Sequence, residues 1–346
     1  MKRIGILGHF GFGTEKSNGQ TIKTKTVTEA LQKVYGLQAI GMEDTMGGWK
    51  FMLLLPKVVW HLLRNYQNII IMPAYRGVHF ISPLLVAGNV FFRRRLHYVV
   101  IGGWLPDYVK KYPLLRFVLH RFHKIYVETC HMQRQMEEYG YANITVMPNF
   151  KSLDIIDKDA LPTHNQYPLR LCTFSRVMKE KGIEDAILAV DKCNQFFKKD
   201  IFTLDIYGQV ESDQTDWFEQ LRSTMPSTVK YGGIIPYTDS TQILHEYFAL
   251  LFPTHFKTEG FAGTIVDAMA AGVPPIASDC PSNCELIKDG TTGMLFPLGS
   301  TEALTQLLIS IAQAPSTIDD MRVHCLQEAQ KYTPEKVIMT LCQQIK

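Results

Sequence analysis

The sequence predicts an α/β protein of two domains, each a Rossmann-like sheet with crossover helices. Three observations lead there. At 346 residues the chain exceeds what one core usually serves, so two domains of roughly 150 to 180 residues are expected. Short apolar runs ending in glycine or polar turns alternate with amphipathic stretches, the pattern of βαβ units. The series begins twice, at Arg3 and again at Leu169, and the polar, irregular stretch 151–166 with Pro162 lies between.

In the first half, residues 3–7 read as a strand, followed by GHFGFG and a polar loop to Asn18-Gly19-Gln20. Val27, Leu31 and Val34, at i, i+4 and i+7, mark the first helix. The glycines are spaced G-x-x-G-x-G and not G-x-G-x-x-G, a poor match to the dinucleotide fingerprint. A strand at 38–41 precedes a helix at 49–64 whose apolar stripe is Phe51, Leu54, Leu55, Val58 and Leu62, with Lys50, Lys57, His61 and Arg64 on another face. Pro56 would kink or divide it. Strands follow at 68–72 and 96–101, the second introduced by the basic cluster Arg93, Arg94 and Arg95. Gly102-Gly103-Trp104 should then lie at the sheet end where ligands of open α/β folds collect, which makes Trp104 and Asp107 acceptor-site candidates, with His79 as a further one. Pro113 opens a helix with Leu115, Val118, Leu119 and Phe122 at helical spacing and Arg116, His120 and His123 opposite; strands at 124–127 and 144–147 complete the half.

The second half opens with a strand at 169–174 and the segment SRVMKEKG. Its Arg176 offers a planar fork and its Lys181 a compact charge, both suited to a diphosphate, though a solvated loop would read the same in isolation. Strands follow at 202–208, 229–235 and 249–253, and the last runs into PTHFKTEGFAGTIVDAMAAGVPPIASD. Here Gly260 and Gly263 permit a tight turn, residues 264–271 form a helix stopped by Gly272, Pro274 and Pro275, and 275–278 is again a strand. The first turn of that helix leaves amide groups unpaired and favours negative charge, so GFAG is an anion site by construction. Glu259 and Asp267 flank it with carboxylates that accept hydrogen bonds from hydroxyls; the plainer alternative is a solvated glutamate and a helix-stabilising aspartate. Residues 285–296 read as turn and strand, Ser300 caps a helix with Leu304, Leu307, Leu308 and Ile311 inward, and 334–345 is a final helix.

Seven scattered cysteines give no disulfide framework, and Cys280 and Cys284 lack a second pair at metal spacing, which suits a reducing cytoplasm. IGIL is too short for a signal-peptide core, and the run 80–92 is broken by Ser82, Pro83, Gly88 and Asn89, so a soluble or peripheral protein is expected. The net charge of +3 conceals an asymmetry: residues 45–127 carry twelve Lys and Arg against Asp107 alone, +11, which leaves −8 for the remainder. Two readings stand for this basic half. Either its apolar stripes are core and its basic faces solvated, or one face meets an anionic membrane.

Glu259, seven intervening residues and Asp267, within EGFAGTIVDAMAAGVPPIASD, resemble the E-x7-E signature of retaining glycosyltransferases of family 4; that family usually has Glu where this chain has Asp267. The resemblance implies the GT-B fold, two Rossmann-like α/β domains facing each other across a cleft. It implies an acceptor domain at 1–150, a linker at 151–166, a donor domain at 167–332 and a helix at 333–346 that crosses back to the first domain. Carried over, Arg176 and Lys181 neutralise the leaving diphosphate and Glu259 positions donor-sugar hydroxyls. Asp267 takes the ribose hydroxyls, while Gly208, Gly260, Phe261, Ala262, Gly263 and Thr264, with Gly19, Gln20 and Thr21, face the donor. The implied reaction is retaining transfer from a nucleoside-diphosphate-sugar, a UDP-sugar favoured, without a required metal or cofactor. The acceptor is a saccharide, lipid-linked in bacterial capsule, O-antigen or exopolysaccharide assembly. The basic half would place the enzyme on the inner face of the plasma membrane. A GT-B-like sugar-nucleotide epimerase and a non-catalytic nucleotide- or membrane-binding module are the rivals; no nucleic-acid partner is expected.

Overall fold

The computed structural model describes residues 2–11, 19–45, 49–164, 166–236, 238–256 and 259–345. The loop expected over 12–18, the side chain of Lys50, Asn165, the Thr258 end of the loop after residue 253, and Lys346 lie outside the described residues.

Two compact units divide the chain: residues 1–152, 258–261 and 332–346 form unit 1, and 153–257 with 262–331 form unit 2. Unit 1 contains β1 (Lys2–Gly8), α1 (Gly19–Tyr35), β2 (Ile40–Asp44), α2 (Trp49–Asn65), β3 (Tyr66–Met72), α3 (Tyr75–Phe92), β4 (Arg95–Val99), α4 (Leu105–Lys111), α5 (Pro113–Leu119), β5 (Lys124–Val127), α6 (Cys130–Glu138) and β6 (Ile144–Val146). Its six strands are all parallel, in the order β2-β1-β3-β4-β5-β6. The inner strands are near-continuous apolar runs, as a parallel sheet covered on both faces requires: Ile69, Ile70, Ile71 and Met72 of β3 are fully buried.

Unit 2 contains β7 (Leu169–Phe174), α7 (Ile183–Phe197), β8 (Phe202–Tyr207), α8 (Thr215–Ser223), β9 (Val229–Gly233), α9 (Ser240–Leu244), β10 (Ala249–Phe252), α10 (Gly263–Ala270), β11 (Pro275–Ser278), α11 (Pro281–Leu286), β12 (Met294–Phe296), α12 (Thr301–Gln313) and α13 (Ser316–Ala329). Its strands are also parallel, in the order β12-β11-β10-β7-β8-β9. Ser300 caps α12, its hydroxyl accepting the Ala303 amide at 3.1 Å. Beyond unit 2 the chain returns to unit 1 as α14 (Pro334–Cys342), which packs on α1; the Tyr35 hydroxyl donates to the Cys342 carbonyl at 3.3 Å.

Some expected details are corrected. In α2 the buried side chains are Phe51, Leu55, Val59, Leu62 and Leu63, while Leu54 stands exposed, because the consecutive apolar residues of this helix let several stripes fit the same spacing. Pro56 sits inside α2 without ending it; it and Met52, whose carbonyl loses the missing amide, are both on the exposed face where water can substitute. Residues 37–39 form a short 3-10 turn, which delays β2 to Ile40, and Glu285 belongs to α11 instead of a turn.

Candidate functional site

In each sheet the direction of strand addition reverses once, and the crevice beyond the strand ends at such a point is where open α/β sheets bind ligands. In unit 2 the reversal falls between β7 and β10, because β7 is flanked by β8 on one side and β10 on the other. The segments leaving these two strands carry Arg176, Lys181 and the loop that begins at Pro253.

The segment after β7 folds back on the loop after β10. The Thr254 hydroxyl donates to the Glu180 carbonyl at 3.3 Å and the His255 amide donates to the same oxygen at 2.9 Å. Lys181 is only 8 % exposed, with its ammonium 5.2 Å from the Phe252 ring centroid and 5.3 Å from that of Phe256. The faces of aromatic rings attract a cation, so a buried charge is held at the strand ends. Gly182 allows this close approach, with a left-handed backbone at φ 69° that turns the chain into α7. Arg176 lies outward, more than half exposed, and pairs with Glu211 at 2.7 Å.

Gly208, directly after β8, packs its backbone against Ser175: a β-carbon there would fall 1.7 Å from the Ser175 carbonyl oxygen. The first turn of α10 abuts β7, with the Thr264 hydroxyl donating to the Phe174 carbonyl at 2.5 Å. Ala262 caps α10 without a side-chain acceptor, which leaves that end suited to an anion. Asp267 is buried one turn further on. The structure therefore gathers Lys181, Gly208, Thr264 and the start of α10 at one end of the unit 2 sheet.

The remaining donor candidates belong to unit 1. There the reversal falls between β1 and β3, and the N-terminal turn of α1 lies beside it: the Gln20 side-chain amide donates to the Met72 carbonyl at 3.3 Å, Thr21 is buried and Gly19 exposed. Gly260 and Phe261 lie against the ends of β4 and β5. A β-carbon on Gly260 would fall 2.6 Å from the Glu128 carboxylate and 2.9 Å from the Gly103 amide nitrogen, so only glycine passes. The Phe261 amide donates to Glu128 at 3.1 Å, and the Phe261 ring packs edge-on against Tyr332. Glu259 is half-buried beside them.

Sequence reasoning named Trp104 and His79 separately, and the structure joins them through three tyrosines it did not single out. His79 lies 4.8 Å from Tyr108 and 4.4 Å from Tyr112; Trp104 lies 5.2 Å from Tyr108 and 6.2 Å from Tyr75. This cluster caps the ends of β3 and β4. Burial lowers the His79 imidazole below its ordinary value and raises the Tyr108 phenol, so both stay neutral near pH 7. Asp107 is exposed in the first turn of α4. Lys23 and Glu128 were also missed; one follows the Gly19-Gln20-Thr21 turn and the other ends β5 ahead of the helix-capping Thr129, weak signals at positions far apart in sequence. Among the described residues no three His, Cys, Asp or Glu are grouped to hold a metal ion.

Residues 168–314 match the family described as Glycosyl transferases group 1. The chain is 26% identical over 218 residues to the GtfA subunit of the UDP-N-acetylglucosamine–peptide N-acetylglucosaminyltransferase of Streptococcus pneumoniae, covering 60% of this chain and 42% of that protein. It is 27% identical over 160 residues to the amylovoran biosynthesis glycosyltransferase AmsK of Erwinia amylovora, covering 44% and 38%. Each match spans less than half of the relative's length. Among solved structures, HepE of Anabaena in complex with UDP and glucose matches with a TM-score of 0.76 over 99% of both chains at 16% identity. Sucrose-phosphate synthase of Thermosynechococcus elongatus matches with a TM-score of 0.76 over 99% of this chain and 98% of that one at 15% identity.

Proposed function

From a chain that carries a glycosyl transferases group 1 domain on the GT-B fold, we propose a retaining glycosyltransferase that moves a sugar from a UDP-sugar to a saccharide acceptor, with no resident cofactor. The observation that carries the reading is the buried Lys181, held against Phe252 and Phe256 at the switch point of the unit 2 sheet, at the same sheet end where α10 starts. A buried cation and an uncapped helix N-terminus at one sheet end are preorganised for the charge that grows on a departing diphosphate, and cost no reorganisation when the bond breaks. Arg176, which must exchange its bond to Glu211 for the phosphate, adds a planar fork at the rim. Glu259 positions sugar hydroxyls, Asp267 takes the ribose, and a donor phosphate oxygen receives the acceptor's proton. Uridine is favoured because HepE and the pneumococcal GtfA were both solved with UDP.

Calorimetry with UDP, GDP and ADP tests this. The wild type is expected to bind UDP saturably, and Lys181→Ala to weaken that binding about tenfold or more. No binding of any of the three at millimolar concentration would sink the transferase reading. Donor turnover without acceptor would instead favour the epimerase.

The acceptor domain is unit 1 in this reading, and the aromatic group of Tyr75, His79, Trp104, Tyr108 and Tyr112 is its contact surface for a sugar ring. The acceptor is lipid-linked and belongs to bacterial surface-polysaccharide assembly, a reading supported by the likeness to AmsK. No helix among the described residues is long and apolar enough to cross a membrane. Peripheral contact on the cytoplasmic face is supported by α2, α3 and α5, with α3 packed against both of the others. Eleven of the twenty-one exposed large apolar side chains among the described residues lie on these three helices, including Leu53, Trp60, Val90, Phe91, Leu114 and Phe117. Exposed Lys57, Arg64, Arg93, Arg116 and Arg121 stand on or beside them. Apolar side chains rimmed by cations match an acyl boundary below anionic headgroups. Vesicles rich in anionic lipid are expected to bind the protein, and Trp60→Ser with Phe91→Ser to weaken binding about tenfold. Equal, weak binding to neutral and anionic vesicles would refute membrane docking.

A further inference from the structure

Unit 1 contains an ion pair that the proposed chemistry does not use. Lys23 on α1 and Glu128 at the end of β5 are 2 % and 4 % exposed, and the Lys23 ammonium donates both to Glu128 and, at 3.1 Å, to the Val100 carbonyl. Withdrawing two charges from water is expensive, and an apolar pair of the same volume is often as stable or more so. What the pair does supply is an acceptor of fixed position. One carboxylate oxygen faces Lys23; the other accepts the Phe261 amide at 3.1 Å. A β-carbon on Gly260 would fall against the same oxygen and against the backbone of Gly102 and Gly103, so the turn lies close to these groups.

We propose that the Lys23–Glu128 pair is a positioning device for the donor sugar: it locks the Gly260-Phe261 backbone, and through it sets where the Glu259 carboxylate meets the sugar hydroxyls. Neither residue touches the donor. The role rests on the reading that the Glu259 turn receives the sugar of a UDP-sugar. In that reading the diphosphate meets Lys181 and the start of α10, so the device governs recognition of the sugar and not of the nucleotide. Misplacement of a positioning group by about 1 Å is enough to slow a reaction by about a hundredfold.

The decisive variant is the double substitution Lys23→Met with Glu128→Leu, which removes both charges and keeps an apolar core. Its affinity is measured for UDP and for whichever of UDP-glucose and UDP-N-acetylglucosamine the wild type binds more tightly, together with donor turnover. UDP affinity is expected to stay within about threefold of wild type, while the extra affinity contributed by the sugar disappears and kcat falls about ten- to a hundredfold. Glu128→Asp keeps the charge but shortens the reach by one methylene, and is expected to lower kcat with the fold intact, which serves should the double variant not fold. Retained sugar discrimination and kcat in a folded variant would overturn the proposal, as would a parallel weakening of UDP and UDP-sugar. If the wild type binds no UDP, the transferase reading fails and takes the positioning role with it.

Discussion

Replacing Gly182 by alanine is expected to destabilise unit 2 by about 3 kcal/mol or more and to abolish UDP binding in the protein that remains folded. Two costs combine. The left-handed backbone at φ 69° disfavours any side chain by about 1 to 2 kcal/mol, and a β-carbon there would fall 2.1 Å from the Pro253 carbonyl oxygen and 2.8 Å from its carbon. Those are backbone atoms at the end of β10, so relief requires moving the strand end or the segment carrying Lys181. Either movement separates the two chain segments that converge at the switch point. Gly299→Ala is the control: at φ 72° in the same unit, with nothing within 4 Å of its would-be β-carbon, it carries only the conformational cost. Urea unfolding of both variants, read beside UDP calorimetry, isolates the collision; equal midpoints for the two would refute the argument.

Arg322→Met is expected to destabilise unit 2 by about 3 to 5 kcal/mol while leaving unit 1 folded. Arg322 on α13 is 2 % exposed, and its guanidinium donates to Asp319 at 2.8 Å and to the carbonyls of Gly272 and Phe248, each at 2.8 Å. It also meets His164 at 3.0 Å, so one side chain ties α13 to the end of α10, the entry to β10 and the start of the unit. Burial disfavours its charged form, and the hydrogen bond and charge of Asp319 oppose that effect. Methionine fills the space but leaves two buried carbonyls without this donor. Arg322→Lys restores charge but not the planar fork that reaches three acceptors, and is expected to recover only part of the loss. Hydrogen exchange should localise early opening to residues 153–257 and 262–331, and a single transition shared by both units would contradict the expectation.

Arg322 also explains what the sequence concealed. In α13 the inward positions include Arg322 and Glu328 beside Ile318, Met321, Cys325 and Leu326, so polar residues interrupt the apolar stripe and no helix was read there. By contrast β7, β10 and β11 are short apolar runs bounded by turns, and each was found within a residue of its ends. Around the candidate site, Lys181 was named from its local pattern and Gly208 and Thr264 from the family resemblance, and the structure brings them to one end of one sheet. The aromatic group was half legible, since His79 and Trp104 were named while no local pattern singled out Tyr75, Tyr108 and Tyr112.

The repeated strand-helix series was enough by itself to determine an α/β chain of two sheets, and the resemblance carried by the motif from Glu259 to Asp267 implied the GT-B fold, because those features are encoded by neighbours in sequence. Only the tertiary structure decided that residues 258–261 leave unit 2 to join unit 1, that Lys23 and Glu128 form a buried pair from positions 105 apart, and that Lys181 lies between two aromatic rings. Such pairings carry no local signature, since the burial that makes a charge significant is supplied by elements distant in the chain.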